Sequence, residues 1–276
     1  MPKRLTEAQV RQYRQDGFCS PVPVLSPEEY AGFRRELEAY ELVAGHPLDY
    51  PEKSKPYLLF RWADAVVRHP AVLDAIEDLI GPDILVYHTT MWIKEAHQPA
   101  YVRWHQDGAY FFLDPPEQVT AWVALSDASV EAGCIEVLPG TQRLGPIEHD
   151  DEPDPLNLIK RGMGISGRFD GQRGVMMPLK AGEMSLHHTY AVHSSGPNNT
   201  NDRRMGVGVS FIPTHTKPLG SPRPTAMLVR GVDRFQHFVP DKRVTQPAVY
   251  EAFAAHHEAN RLFRARQDLG FKAMHA

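Results

Sequence analysis

His105 and Asp107, in the run Val102-Arg103-Trp104-His105-Gln106-Asp107-Gly108-Ala109-Tyr110-Phe111, gain meaning beside His193 far along the chain. Two imidazoles and one carboxylate can occupy one face of an octahedral metal. Three neighbouring positions then stay open for a bidentate co-substrate and dioxygen, the arrangement expected of non-haem Fe(II) oxygenase chemistry. In an extended segment, residues i and i+2 project to the same side. His105 and Asp107 can therefore clamp one ion from a single strand end, and the third ligand must come from a distant strand. His-x-Asp alone is weak evidence in a chain with 14 histidines, and His149-Asp150-Asp151 is a second copy. That copy sits in Glu148-His149-Asp150-Asp151-Glu152-Pro153-Asp154-Pro155, which is acidic, proline-broken and without strand pattern, and it reads as solvated loop. The first copy is bracketed by aromatic and β-branched residues that can build a dry pocket.

The second informative segment runs from Ala181 to Asn198 and is followed by Asn199-Thr200-Asn201-Asp202-Arg203-Arg204. His187, His188 and His193 compete for the third ligand role. The first two are adjacent and point to opposite faces of a strand, whereas His193 closes a small apolar stretch before a turn. An arginine on the strand after that turn suits a co-substrate carboxylate, because a guanidinium binds carboxylate in bidentate fashion.

These residues need a scaffold, and the 276 residues suffice for one large domain or two small ones. Hydrophobic residues make up 42% and charged residues 23%, enough for a real core. The net charge of −4 and pI near 6.4 carry no electrostatic footprint for nucleic acid. Cys19 and Cys134 form neither a disulfide framework nor a Cys-x-x-Cys zinc site. With no secretory leader pattern and no apolar run of membrane length, a cytoplasmic, membrane-free protein is the expectation.

The first part reads as helices. Thr6 caps one that stops at Gly17, Ser26-Pro27-Glu28-Glu29 is a capping box for a second through Phe33, Leu37 and Tyr40, and Pro70–Ile80 is a third. Strand patterns follow at Ile84–Lys94, Val119–Leu125, Cys134–Leu138, Met184–His188 and Arg204–Pro213. Helices followed by many short strands predict an α+β chain with a double-stranded β-helix, that is, a jelly-roll or cupin-like core. Expected boundaries are one domain over 1–276, with a helical part to about 82, a core over about 83–215 and a C-terminal helix over about 245–271. That helix would pack on the barrel or mediate a homo-oligomer. The segment 145–174, rich in glycine, proline and charge, is expected to form a lid.

The chain resembles the phytanoyl-CoA dioxygenase family of Fe(II)/2-oxoglutarate oxygenases over roughly residues 7–240. The resemblance rests on Trp104-His105-Gln106-Asp107, Val119–Leu125, Gly133–Thr141, and Ala181-Gly182-Glu183 through His193-Ser194-Ser195-Gly196-Pro197-Asn198. It implies His105, Asp107 and His193 as iron ligands. It also implies Arg204, not Arg203, as the 2-oxoglutarate anchor, with Ser195, Trp122, Gln106 and Thr90 lining the co-substrate pocket. Halogenating relatives carry Ala or Gly in place of the carboxylate, so Asp107 implies oxygen insertion.

Alternation puts His88, Thr90, Trp92 and Lys94 on one face, and Tyr101, Arg103, His105 and Asp107 on one face. His88, Trp92, Lys94 and Arg103 are the candidate substrate contacts, with Arg103 an anchor for an anionic group. The expected reaction is hydroxylation of a small or medium-sized polar metabolite with release of succinate and carbon dioxide. The alternatives are a non-catalytic jelly-roll binding protein, and a cupin-type metal isomerase or hydrolase. Succinate release, metal content and 2-oxoglutarate binding separate the three.

Overall fold

The computed structural model describes residues 2–150, 152–159, 163–169, 171–242 and 249–274, with backbone alone at 249–250 and 268–274. Helix α1 (Glu7–Asp16) starts where its cap predicts: the Thr6 side chain accepts from the Gln9 amide, and the Gln9 side chain accepts from Thr6. Ser26 and Glu29 form the same reciprocal cap on α2 (Pro27–Ala44). Next comes α3 (Arg61–Val67), which the sequence pattern does not announce, and then α4 (Pro70–Ile80), ended by Gly81. Seven residues without a side-chain cap cannot hold a helix alone. Burial of Trp62, Val66 and Val67 holds α3 instead.

The strands are β1 (Phe18–Pro23), β2 (Ile84–Lys94), β3 (Val102–His105), β4 (Leu113–Asp114), β5 (Val119–Ala124), β6 (Ile135–Val137) and β7 (Val175–Met177). They continue with β8 (Glu183–His188), β9 (His193–Ser195), β10 (Arg204–Pro213), β11 (Lys217–Pro218), β12 (Thr225–Arg230) and β13 (Val239–Pro240). Short α5 (Gly108–Phe111) and long α6 (Val249–Met274) complete the set. One sheet has the order β1-β8-β5-β10-β2-β12-β13, a second the order β3-β9-β6-β7, and β11 pairs with β4.

Two expected boundaries move. Strand β1 lies inside the part expected to be helical, and it forms the edge of the large sheet beside β8. Two prolines and a register break hide it from pattern reading, and an edge strand tolerates both. Strand β12, beyond residue 215, pairs with β2 in the same sheet.

Alternation sets the layers. Val119, Ala121 and Val123 of β5 and Val207, Val209 and Phe211 of β10 pack in one cluster with Leu37, Trp62, Val66, Val72 and Ile76 of the helices. Burying each of the larger side chains contributes roughly 1.5–3 kcal/mol. A one-residue slip would turn the whole set outward, so the register is fixed. On the other face, Trp122 and Ala124 pack against Ile135, Val137 and Met177 of the small sheet. Gly206 and Gly208 make room there: a Cβ would meet the Trp122 ring at 2.0 Å and Trp92 Nε1 at 3.0 Å, respectively. The two indoles thus lie in the space between the sheets.

Helix α6 packs beside β2 and the Ser54 segment. The Ser54 hydroxyl donates to Asn260 Oδ1 at 2.6 Å, His256 Nε2 meets the Ser54 carbonyl at 2.7 Å, and Phe263 stacks on His88 with ring centroids 3.9 Å apart. Its expected start at 245 lies outside the described residues. Among the described residues no helix is long and apolar enough to cross a membrane.

Candidate active site

Strands β3 and β9 lie side by side with His105 directly opposite His193. Each ring is held in the same way. His105 Nδ1 meets the Arg103 carbonyl at 2.9 Å, and His193 Nδ1 meets the Ala191 carbonyl at 3.0 Å. A carbonyl only accepts, so each Nδ1 carries the proton and each Nε2 keeps a lone pair for a metal. Asp107 Oδ1 lies 3.7 Å from His105 Nε2 and 3.9 Å from His193 Nε2.

Asp107 does not reach this point from the strand, as the i, i+2 argument expected. β3 ends at His105, and Asp107 has φ −59° and ψ −35° at the start of α5. The helical turn, not the pleat, brings the carboxylate back. Its other oxygen, Oδ2, accepts from the Thr120 hydroxyl at 2.5 Å and faces His187 Nε2 at 3.2 Å. Gln118 Nε2 donates to Thr120 Oγ1, which leaves the threonine hydrogen for Asp107. Burial raises the Asp107 carboxyl pKa, but the facing rings of His105 and His187, with His193 nearby, outweigh it and hold the pKa well below the usual range. An ionised oxygen is thereby kept facing the two imidazoles.

Two cavities meet at this centre, with Trp92, His105 and Asp107 on the boundary of both. The larger, about 880 Å³, is walled by His88, Thr90, Tyr110 and Phe111, by Tyr50, and by α6 residues including Phe263 and Arg264. The smaller is a narrow slot between the sheets, lined by Thr120, Trp122, His187, Ser195 and Arg204. Arg204 is 2% exposed. Its Nη1 donates to the Gly133 carbonyl, its guanidinium lies over the Trp122 ring, and its buried Nε has no partner among the described residues. Burial pulls its pKa down to about 10, still charged at neutral pH. A buried guanidinium with no carboxylate partner among the described residues fits an anionic ligand in the slot, and the three ligand atoms beside it fit a metal ion.

Residues 13–206 match the family described as Phytanoyl-CoA dioxygenase (PhyH). The chain belongs to the phytanoyl-CoA dioxygenase family. It is an enzyme of the iron- and 2-oxoglutarate-dependent oxygenase type. It is 29% identical to L-proline trans-4-hydroxylase of Streptomyces griseoviridis over 82% of this chain and 93% of that one. It is 24% identical to a probable alpha-ketoglutarate-dependent hypophosphite dioxygenase of Stutzerimonas stutzeri, over 76% and 80%. Among solved structures, the non-heme monooxygenase ThoJ superposes with TM-score 0.84 at 30% identity, over 96% of this chain and 99% of that one. A nickel complex of ThoJ gives 0.79 at 28%, over 95% and 99%.

In this phytanoyl-CoA dioxygenase family member, several expected site residues stand elsewhere. Gln106 lines neither cavity. Its amide donates to the Gly145 and Tyr190 carbonyls and accepts from the Ile147 amide, tying the segment after β6 to the site. Thr90 borders the larger cavity, not the slot. Lys94 does not face substrate space, because its Nζ is buried against Ser195 and Gly196 behind the slot. Arg103 is not an open anchor either: it pairs with Asp150 at 2.8 Å and also contacts Ser166. His88 and Trp92 do line the larger cavity. Burial holds the His88 pKa well below the usual range, so its ring is neutral at neutral pH.

The second His-x-Asp copy is not the solvated loop expected. His149 is 4% exposed, its Nδ1 donates to the Ile147 carbonyl, and its Nε2 accepts from the Gln106 amide. Both ring nitrogens are engaged, which leaves no lone pair for a metal; Asp151 lies outside the described residues. Sequence reasoning missed Thr120, Tyr50, Tyr110 and the α6 wall, and it considered His187 only as a competitor for the third ligand position. Alternation on β5 does put Thr120 beside Trp122 on the slot face, and His187 is its cross-strand partner on β8.

Proposed function

We propose that this enzyme hydroxylates a medium-sized organic molecule, with His105, Asp107 and His193 as iron ligands and a jelly-roll core as the scaffold. The single observation that carries the reading is the placement of the three ligand atoms between a cation-floored slot and a separate large cavity. Arg204 and Ser195 hold the distal carboxylate of 2-oxoglutarate in the slot, and Trp122 closes it. When bound, iron with 2-oxoglutarate and dioxygen supplies the oxidant for an unactivated C–H bond, with succinate and carbon dioxide as by-products. The protein holds the ligands in orientation, excludes water and aims the substrate carbon.

The substrate occupies the larger cavity. Its volume of about 880 Å³ lies near the top of the ~300–1,000 Å³ usual for small-molecule sites. The aromatic wall, formed by Trp92, Tyr110, Phe111 and Phe263, suits an apolar body, while His88 and Arg264 offer polar handles. Incubation of iron-loaded enzyme with 2-oxoglutarate and a metabolite library is expected to give succinate above background for molecules of this kind, with one oxygen added to the product. No succinate from any member of a broad panel would favour a binding protein instead. The buried, unpaired Cys19 and Cys134 agree with a reducing, cytoplasmic setting. A contact between copies through α6 would have to use its outer face, where Phe253 is exposed, because His256, Ala259, Asn260 and Phe263 turn inward.

The segment 145–174 acts as a cover. Ile159 and Met163 border the large cavity, and Ile165 and Phe169 pack with Leu138 and Val192. The Arg103–Asp150 ion pair fastens the segment to β3 next to the ligand His105. Closing on bound ligands would exclude water from the oxidant. Amide exchange in 145–174 is expected to slow when both 2-oxoglutarate and substrate are bound, and Arg103→Met should speed it in the free enzyme. Unchanged exchange in the full complex removes the cover from the mechanism.

A further inference from the structure

Two buried basic side chains stand side by side behind the co-substrate slot. Lys94 and Arg204 are direct partners across β2 and β10, and they are 0% and 2% exposed. Lys94 Nζ lies 2.7 Å from Ser195 Oγ and 3.3 Å from the Ser195 carbonyl, and it also contacts the Gly196 carbonyl. The charged and titratable groups acting on Lys94 are Arg204 from β10 and Cys134 just before β6; on Arg204 it is Cys134. Among the described residues no carboxylate joins them. Burial, reinforced by the Arg204 charge, pushes the Lys94 ammonium down to about 6. Such an arrangement is costly until an anion enters.

The hydrogen inventory says what the lysine controls. An ammonium has three hydrogens and no acceptor, which matches the three oxygens around Nζ. Ser195 Oγ must then accept, and its own hydrogen is free to point into the slot that Ser195 lines beside Arg204. A neutral amine has only two hydrogens and a lone pair. It can take the hydroxyl hydrogen for itself and turn Ser195 away from the slot.

We infer that Lys94 is a positioning residue of the co-substrate site: it takes up one proton when 2-oxoglutarate arrives and so sets the Ser195 hydroxyl as a donor to the distal carboxylate. The inference rests on the reading of Arg204 and Ser195 given above. The balance is simple, since one proton moves from solvent to the Lys94 amine and no covalent bond to carbon changes. As pH falls through about 6, the free enzyme already carries that proton and the uptake disappears.

The test is titration calorimetry of the nickel-loaded full chain, which does not turn over, with 2-oxoglutarate at pH 7 in buffers of different ionisation enthalpy. The wild type is expected to take up close to one proton per 2-oxoglutarate, and much less at pH 5. Lys94→Met should bind roughly ten- to a hundredfold more weakly, the range for one charge-assisted hydrogen bond, and should take up none. Lys94→Arg keeps a permanent charge, so it should recover affinity without proton uptake. The wild-type proton count decides the matter even if Lys94→Met folds poorly. Binding without uptake in the wild type, or equal uptake in the Met and Arg variants, overturns the role of Lys94 alone. Failure of 2-oxoglutarate to bind the nickel-loaded wild type overturns the co-substrate site as well.

Discussion

Alanine at His105, Asp107 or His193 is expected to abolish both iron retention and succinate formation. Two remaining ligands cannot hold the facial site, so metal content after anaerobic loading and desalting should fall from about one ion per chain to a small fraction. Each loss has a distinct local cause. Removal of either imidazole deletes an Nε2 lone pair that a backbone carbonyl holds in place through Nδ1. Removal of the carboxylate also leaves the Thr120 hydroxyl and His187 Nε2 without their acceptor. His149→Ala provides the contrast: it should lower stability, since His149 caps the Gln106 amide from inside, but leave metal content intact. Iron lost from His149→Ala and kept by Asp107→Ala would reverse the assignment.

Much of this site could be read from residue order because strand alternation is a strict rule. β2 and β10 have the bounds their patterns predict, Ile84–Lys94 and Arg204–Pro213. Alternation sorts faces, however, and says nothing about depth along a strand. His88, Thr90, Trp92 and Lys94 share a face as expected, yet six residues of strand cover about 20 Å. The series therefore runs from the large cavity at His88 and Thr90, through Trp92 on both cavities, to Lys94 behind the slot. One face thus serves two ligands, and position along the strand separates them.

What stayed hidden depends on contacts between distant segments. Nothing near Arg103 indicates that Asp150 neutralises it, and nothing near Gln106 shows that Gly145, Ile147 and Tyr190 use its amide. His149 looked solvated because its neighbours are acidic, whereas packing against the Gln106 backbone buries it. Strand β1 is masked by its prolines and α3 by its brevity; partners elsewhere in the chain stabilise both. Adjacent His187 and His188 do diverge, but only the pairing of β8 with β5 brings His187 to Asp107.

Arg204→Ala is expected to raise the 2-oxoglutarate requirement far more than Arg203→Ala, although the two residues are neighbours. The strand turns them to opposite sides. Arg203 bonds to Glu41 at 2.6 Å and to Glu95 at 2.8 Å on the outer face of the molecule. Its loss should cost a modest amount of stability, of the order of 1 kcal/mol for partly exposed pairs, and leave co-substrate binding unchanged. Arg204 faces the slot with a buried Nε that has no partner, and no carboxylate beside it, among the described residues. Truncating one partner of a buried charge pair typically costs about 2–5 kcal/mol, which corresponds to about thirtyfold to several thousandfold in affinity. Arg204→Lys should recover only part of this, because an ammonium cannot make the bidentate contact of a guanidinium. The measurement is the dissociation constant of 2-oxoglutarate for nickel-loaded protein, with thermal unfolding as the control for folding. Equal losses of affinity in the Arg203 and Arg204 variants would mean that the slot is not where the co-substrate carboxylate binds.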